Sequence, residues 1–509
     1  MVFTSHLFLF YFLPLALGLY YAAPRSWRSG VLTLCSLFFY AWANPWFVPI
    51  LLAIAGVDFV LANLIDGHWQ LPWSNQTTIG DVSQRRCSDR GKRILVSISL
   101  ICNIGVLFFF KYAMFVGDNL RLLIGENPSA TDMAFVVLLP IGISFYTFES
   151  ISYILDIHAG RARPASVWFH QQDRKMGKAM SLLRSIRLEF QGFLTYVCYL
   201  TQFPHLVAGP IIRYQDLEPQ LHDRRHTIDK FSRGVAFFIL GLSKKILLAN
   251  PIGEIADAAF SADGLPWYDA WYGVVAYAFQ LYFDFSGYSD MAIGLALMVG
   301  FTFPKNFNAP YRAESLTDFW RRWHISLSTW LRDYVYIPLG GNRQGPRRAY
   351  RNLIIVMVIG GFWHGAEWTF LAWGAIHGVM LAGERLLGKT SPYHWLPRPG
   401  RIAVTFAVVC VAWVFFRSST LSLALEYCTA LIGFGTVRSE ITLLYGLMYD
   451  SYHLTCMGVG ALIIWGGMTT WDFTKHLHPL KIIACAVLLL ASIAALCEQT
   501  FNPFLYFRF

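Results

Sequence analysis

Residues 318–334 read DFWRRWHISLSTWLRDY, and residues 360–368 read GGFWHGAEW. Each string sets one histidine, His324 or His364, among tryptophans in a strongly apolar chain. Ionisable groups at membrane depth are costly and by default mark function. The plainer alternative is that each imidazole only hydrogen-bonds a neighbouring helix. Ser315, Leu316, Thr317 and Asp318 form a capping-box pattern, with Ser315 as N-cap and Asp318 returning to it. From there Leu316, Phe319, Trp320, Trp323, Leu327, Trp330, Leu331 and Tyr334 recur at helical spacing on one face. The pattern predicts an amphipathic helix lying in or dipping into the membrane boundary, with His324 on its aromatic face.

The rest of the chain agrees with a membrane setting. Of its 509 residues, 55% are hydrophobic and only 14% charged, against about a quarter charged in soluble proteins. Many stretches approach the ~20 apolar residues that cross a hydrocarbon layer. Such spans are helical because lipid offers backbone groups no other partner. The expected class is therefore an all-α polytopic membrane protein. The net charge of +10 is no nucleic-acid signal, because the Lys and Arg residues gather between spans. The nine cysteines are scattered singly, with no CxxC pair, so neither a disulfide framework nor a zinc site is supported. The opening MVFTSHLFLFYFLPLALGLYY lacks a basic leader and a cleavage pattern and reads as a retained first span.

Candidate segments lie near 3–23, 29–44, 46–66, 94–117, 133–157, 189–209, 232–259, 270–299, 352–364, 368–386, 402–417, 421–435, 454–471 and 481–498. Roughly eleven full crossings are expected, the remainder being re-entrant or interfacial. Basic clusters at Arg25 and Arg28, at Arg85 to Arg93, at Arg161 to Arg187 and at Arg343 to Arg351 are assigned to the cytoplasmic side. That puts the N-terminus outside, together with the loops at 118–132 and 261–268. Segment 189–209 has basic loops on both flanks, and QFPHLVAGP carries Pro204, Gly209 and Pro210, so a helix break is expected there. Asn75-Gln76-Thr77 fits a glycosylation pattern but falls in an expected cytoplasmic loop, so it is set aside. No repeat is visible, and one domain, 1–509, is expected.

His364 lies thirteen residues beyond Arg351, roughly 20 Å along a helix. His324 directly follows Arg321 and Arg322. The two imidazoles are thus expected at different depths of one passage. Gly360, Gly361 and Gly365 around His364 suit a pocket wall, since glycine admits close backbone approach. Histidine is the side chain best able to accept a hydroxyl proton near neutral pH. Acyl transfer from a thioester to an alcohol needs that base, and dipoles for the oxyanion.

Five strings, two of them overlapping those already quoted, carry a resemblance: LPIGISFYTFESISYILDI (139–157), FPHLVAGPIIRY (203–214), QLYFDFSGYSDMAIGLALMVGF (280–301), NFNAPYRAESLTDFWRRWHISLSTWLRDYVYIPLGGNR (306–343) and GGFWHG (360–365). The sequence resembles the membrane-bound O-acyltransferase superfamily, in its bacterial alginate-acetylating branch. The likeness extends to the opening residues and the terminal PFLYFRF. It implies a helical fold around a transmembrane tunnel, with re-entrant and amphipathic helices and a catalytic core at 306–365. It implies His364 as general base, and His324 as the second active-site histidine of that branch. It implies a bacterial inner-membrane protein that takes acetyl from a cytoplasmic thioester, expected to be acetyl-CoA, with no bound cofactor and no metal. It further implies a periplasmic SGNH-hydrolase-like acetyltransferase as partner, which then acetylates an exopolysaccharide, alginate first among the choices. Cellulose or peptidoglycan as acceptor polymer, and a transporter without chemistry, are the rival readings. Residues 165–187, ASVWFHQQDRKMGKAMSLLRSIR, depart from the family as an extra basic stretch. It reads as a solvated cytoplasmic insertion, or as a site for anionic lipid headgroups or a CoA phosphate.

Asp284, Ser286, Tyr288, Trp320, Trp323 and Trp363 are candidate tunnel or substrate-binding residues. Each has a second reading. Asp284 and Asp290 either orient a histidine or pair with Arg312 or Arg321 as structural links. Ser286, Tyr282 and Tyr288 either offer hydroxyls to an acyl carbonyl or pack. The tryptophans either hold the acyl group or fill the core. Glu149 has the same two readings as the aspartates, and His205 is read as mainly structural. No GxSxG elbow surrounds Ser326 or Ser328, which argues against an acyl-serine enzyme.

Overall fold

A computed structural model of the chain describes residues 2–69, 75–79, 82–86, 88–125, 139–176, 181–388, 391–435, 442–499 and 505. Lys178 of the basic stretch, much of the 118–132 loop and all of PFLYFRF except Leu505 lie outside the described residues. The described elements are helical apart from one antiparallel strand pair, Asn75–Ile79 with Val82–Arg86. Five described helices are long and apolar enough to cross a membrane: Phe47–Asp66, Asp89–Lys111, Ile228–Ser261, Arg398–Arg417 and Pro479–Glu498. Phe8–Ala22, Leu421–Leu431 and Ser451–Trp465 are shorter apolar helices. The chain forms two compact units, Met1–His226 and Thr227–Phe509.

In the first unit, polar side chains join helices that apolar packing alone would leave loose. Asp58 on Phe47–Asp66 accepts from Ser99 Oγ at 2.5 Å and Asn103 Nδ2 at 2.9 Å on Asp89–Lys111. Interhelical hydrogen bonds of this kind hold helices where lipid removes the hydrophobic drive. The break expected in QFPHLVAGP is present. The Leu182–Thr201 helix stops before Gln202, a short Phe203–Leu206 helix follows, and the chain then runs irregularly to Tyr214. This backbone is buried, so its polar groups need protein partners. Ser36 Oγ accepts from the Phe203 amide, Tyr199 OH donates to the Ile212 carbonyl and Ser152 Oγ accepts from the Tyr214 amide. Glu149 and His205 meet at 2.9 Å in the same buried region, which fits the structural reading of both.

In the second unit, the Ile228–Ser243 and Trp267–Met298 helices meet backbone to backbone. A Cβ on Gly241 would stand 2.4 Å from the Gly287 carbonyl oxygen, and one on Gly234 2.6 Å from that of Gly294. Each helix spaces its two glycines seven residues apart, so two contacts fall on one antiparallel seam. Beyond the seam, a π-helical turn at Lys244–Ala249 carries two adjacent lysines. Lys245 pairs with Asp284 at 2.5 Å and Lys244 with Asp290 at 2.6 Å. Both aspartates are thus paired, but to lysines rather than to Arg312 or Arg321. Arg312 instead donates to the Ile464 and Gly467 carbonyls, 2.6 Å each, at the end of the Ser451–Trp465 helix. Those orphan carbonyls have no intrahelical donor and favour a cation.

The amphipathic helix expected through 316–334 is interrupted. Leu316–Arg322 and Ile325–Leu331 are separate helices, and His324 between them is left-handed (φ 42, ψ 54). That conformation costs a non-glycine residue about 1–2 kcal/mol. It persists because residues 306–308 supply the hydrogen bonds a continuous helix would have made. The Asn308 amide donates to the Arg322 carbonyl and the Ile325 amide to the Asn306 carbonyl, 2.9 Å each. The apolar spacing ran through the break because Phe319, Trp323, Leu327 and Trp330 are all buried. Ser315 caps the first helix as expected, accepting from the Asp318 amide at 3.0 Å, while the Asp318 carboxylate returns to the Glu314 amide rather than to Ser315. Glu384, on the Trp368–Leu386 helix, completes the cap by accepting from the Leu316 and Thr317 amides at 2.7 and 2.9 Å.

Candidate active site

His364 is the last residue of the Pro346–His364 helix, and the chain leaves it extended at Gly365. The returning Trp368–Leu386 helix packs directly against it. A Cβ on Gly361 would stand 2.3 Å from the Phe370 carbonyl oxygen, and one on Gly374 2.4 Å from that of Met357. This approach presses the His364 ring into an aromatic box. Its centroid lies 5.0 Å from Trp363, 5.4 Å from Trp373 and 5.2 Å from Phe416.

The ring centroids of His324 and His364 lie 6.5 Å apart. The expectation of two separate depths is therefore corrected: the imidazoles are neighbours. On one straight helix through 316–334, Arg321 and Arg322 would mark the level of His324. The left-handed break instead folds His324 into a fully buried position while Arg321 stays exposed. Trp363 is also part of this group, 6.3 Å from His324.

Asn306 sets the protonation pattern of His324. The Ser326 amide and hydroxyl lie 3.2 and 2.9 Å from Asn306 Oδ1. A backbone N–H can only donate, so the Asn306 atom facing it must be the oxygen. His324 Nδ1 lies 3.2 Å from that same oxygen, so it carries the proton and donates. The opposite nitrogen, Nε2, then holds the lone pair. It is buried and has no hydrogen-bond partner among the described residues. Asn306 Nδ2 is anchored in turn by Ser289 Oγ at 2.9 Å.

A cavity of about 220 Å³ is lined in part by His364. Leu327, Leu331, Val356, Met357 and Leu381 form apolar walls, and Trp320, Trp373 and Gly360 line it too. Arg332, Tyr336 and Arg385 also line it. His324 and Trp363 are not among the residues that line the cavity; their rings lie 6.5 and 5.0 Å from that of His364. Trp320 faces the cavity and donates its Nε1–H to His377 Nδ1 at 3.3 Å. Trp323 instead fills the core, its ring 5.0 Å from Phe307, 5.6 Å from Phe319 and 5.2 Å from Trp413. Asp284 is held by Lys245 and the Leu505 amide. Ser286 and Tyr288 are buried on the Trp267–Met298 helix and do not line the cavity.

Sequence reasoning missed Asn306 and His377, and weighed Ser326 only as a nucleophile. His377 met the same criterion as the other histidines, a titratable ring in an apolar run, WGAIHG. Asn306 carried no comparable signal, because its partners lie 17 to 20 positions away. Among the described residues, the one group of three metal-ligating side chains lies in the other unit, at His68, His170 and Glu189.

The model of the membrane-bound O-acyltransferase family matches residues 129–425. The chain is similar to the probable alginate O-acetylase AlgI of Pseudomonas putida, at 39% identity over 100% of both chains. It is 42% identical to the protein of the same name from Pseudomonas aeruginosa, over 91% of this chain and 80% of that one. It is also 36% identical to the peptidoglycan O-acetyltransferase of Helicobacter pylori, over 86% of this chain and 81% of the relative.

Proposed function

The chain belongs to the membrane-bound O-acyltransferase family, and we propose that it moves acetyl groups across a bacterial inner membrane for O-acetylation of alginate. It is an O-acyltransferase by that membership. The observation that carries the site assignment is His364 on the wall of the cavity, with His324 as its neighbour. About eleven crossings around one passage would bring a cytoplasmic donor to an acceptor on the far side. The donor is a thioester, acetyl-CoA. Arg332 and Arg385 suit its charged head, and the apolar walls suit its acyl arm.

In the transfer step, His364 takes the proton of the acceptor hydroxyl as its oxygen attacks the thioester carbonyl carbon. The tetrahedral intermediate then collapses. The C–S bond breaks, the new ester forms, and the leaving thiolate recovers the proton from the imidazolium. A positioned base of this kind contributes about 10²–10⁴-fold. His324 holds its lone pair at Nε2 but stands off the cavity, its ring 6.5 Å from that of His364, so it acts through His364 rather than as a donor to the oxyanion. The acceptor is a serine of an SGNH-hydrolase-like periplasmic partner, which passes the acetyl group to the polymer.

The names of two relatives point to alginate and one to peptidoglycan. Of these three, the two with the higher identity carry alginate in their names, which favours alginate. Acetyl-ester content of both polymers in a deletion strain tests this. Loss from alginate alone supports the reading, and loss from peptidoglycan alone moves the acceptor to the cell wall. Unchanged esters on both polymers would refute it.

A further inference from the structure

The basic stretch 165–187 is more than a solvated insertion. Its Ala165–Lys175 helix carries His170, whose Nε2 lies 3.0 Å from Glu189 Oε1 on the Leu182–Thr201 helix. His68 Nε2 reaches the same oxygen at 2.9 Å from the chain that leaves the Phe47–Asp66 helix. The two imidazole rings are 4.7 Å apart. Two nitrogens and one carboxylate oxygen thus converge within 4.8 Å of one another. We propose that His68, His170 and Glu189 form a binding site for a divalent transition-metal ion, zinc by ligand type, that staples these three segments together.

Ligand chemistry and spacing both fit. Imidazole nitrogen and carboxylate oxygen are zinc ligands at about 2.0–2.2 Å, and ligands on such a tetrahedron sit roughly 3.3–3.5 Å apart. The two nitrogen–oxygen separations of 2.9 and 3.0 Å would widen by a few tenths of an ångström, and the two nitrogens, within 4.8 Å of each other, would settle to the same spacing. Each imidazole then offers its Nε2 lone pair and keeps its proton at Nδ1. A fourth position remains for water.

The scaffold holds the three groups in place from one turn away. Ser166, one turn before His170, donates to Asn63 Oδ1 near the end of the Phe47–Asp66 helix. Gly192, about one turn after Glu189, packs on Ser166 so closely that a Cβ would stand 2.6 Å from its Cα. Gly67, at φ 83, ends the Phe47–Asp66 helix, and the Trp69 amide returns to the Asn63 carbonyl at 3.1 Å, which fixes His68 between them. Arg184 and Asp173 tie the other two helices at 2.6 Å. The side chains are 16%, 9% and 22% exposed for His68, His170 and Glu189, so they are ordered by packing yet open to an ion. The sequence hid this site because its ligands are 102 and 19 residues apart and form no spaced motif.

The test is titration of the full-length, untagged protein in detergent with Co²⁺, followed by competition with Zn²⁺. The expected result is one Co²⁺ per chain with a tetrahedral visible spectrum, displaced by Zn²⁺. His68→Gln, His170→Gln and Glu189→Gln should each weaken binding at least about tenfold. Three separate variants, checked by size exclusion, keep the result readable if one fails to fold. No saturable binding by the wild type would overturn the proposal and leave a hydrogen-bonded His–Glu–His cluster. Binding of equal strength in every folded variant would overturn it as well.

Discussion

Asn306 Oδ1 lies 3.2 Å from His324 Nδ1, and the same oxygen accepts from the Ser326 amide. One side chain therefore does two things. It satisfies the backbone of a left-handed break, and it leaves the His324 lone pair at Nε2. Asn306→Ala is expected to leave the Ser326 amide unsatisfied, a loss of about 1–3 kcal/mol, and to free the His324 tautomer. Turnover should fall with KM for the donor little changed. Detergent-phase thermal unfolding and steady-state kinetics check the two effects separately.

Lys245 and Asp284 are both buried and meet at 2.5 Å. Removing one partner of such a pair costs about 3–5 kcal/mol, whereas replacing both by apolar groups is often neutral. Lys245→Met should therefore destabilise strongly, and Lys245→Met with Asp284→Leu should recover most of the stability. Recovery of acetyl transfer in the double variant would confirm a structural link. A folded but inactive double variant would return Asp284 to the chemistry.

Met357 lies on the cavity wall, one turn and three residues before His364. Met357→Trp is expected to fill part of the 220 Å³ and raise KM for acetyl-CoA, with the histidines untouched. Overpacking costs about 1–3 kcal/mol, so thermal unfolding should accompany the kinetics. A normal KM in the folded variant would show that the donor does not use this cavity.

His222 lies outside the spanning segments, its ring stacked 4.3 Å from Trp168. Burial, helped by the neighbouring Arg224, lowers its pKa from 6.5 to about 4. The unfolded chain therefore binds a proton between those values that the folded chain does not. The contribution is fully present above pH 6.5 and is lost as pH falls towards 4. His222→Gln should flatten the acid limb of the thermal midpoint against pH, and an unchanged limb would assign acid sensitivity elsewhere.

Much of this was legible in the sequence, for identifiable reasons. Apolar runs named the helices, because lipid leaves the backbone no alternative. Pro204 and Gly209 marked the buried break. His324 and His364 stood out as titratable rings in apolar strings. What failed depended on contacts distant in the chain. The break at His324 is made by residues 306–308, and local spacing gave no sign of it. The lysine partners of Asp284 and Asp290 sit on a π-helical turn that no periodicity announces. Glu384 caps a helix 68 positions earlier. His68, His170 and Glu189 converge only once three segments pack.

The central claim is that His364 is the base that activates the acceptor hydroxyl. It is tested most directly by single-turnover acetyl transfer from acetyl-CoA by purified His364→Ala protein, with the periplasmic partner present. A fall of about 10²–10⁴-fold, in a variant that unfolds at the wild-type temperature, is the predicted result. Transfer at the wild-type rate without that imidazole would contradict the account.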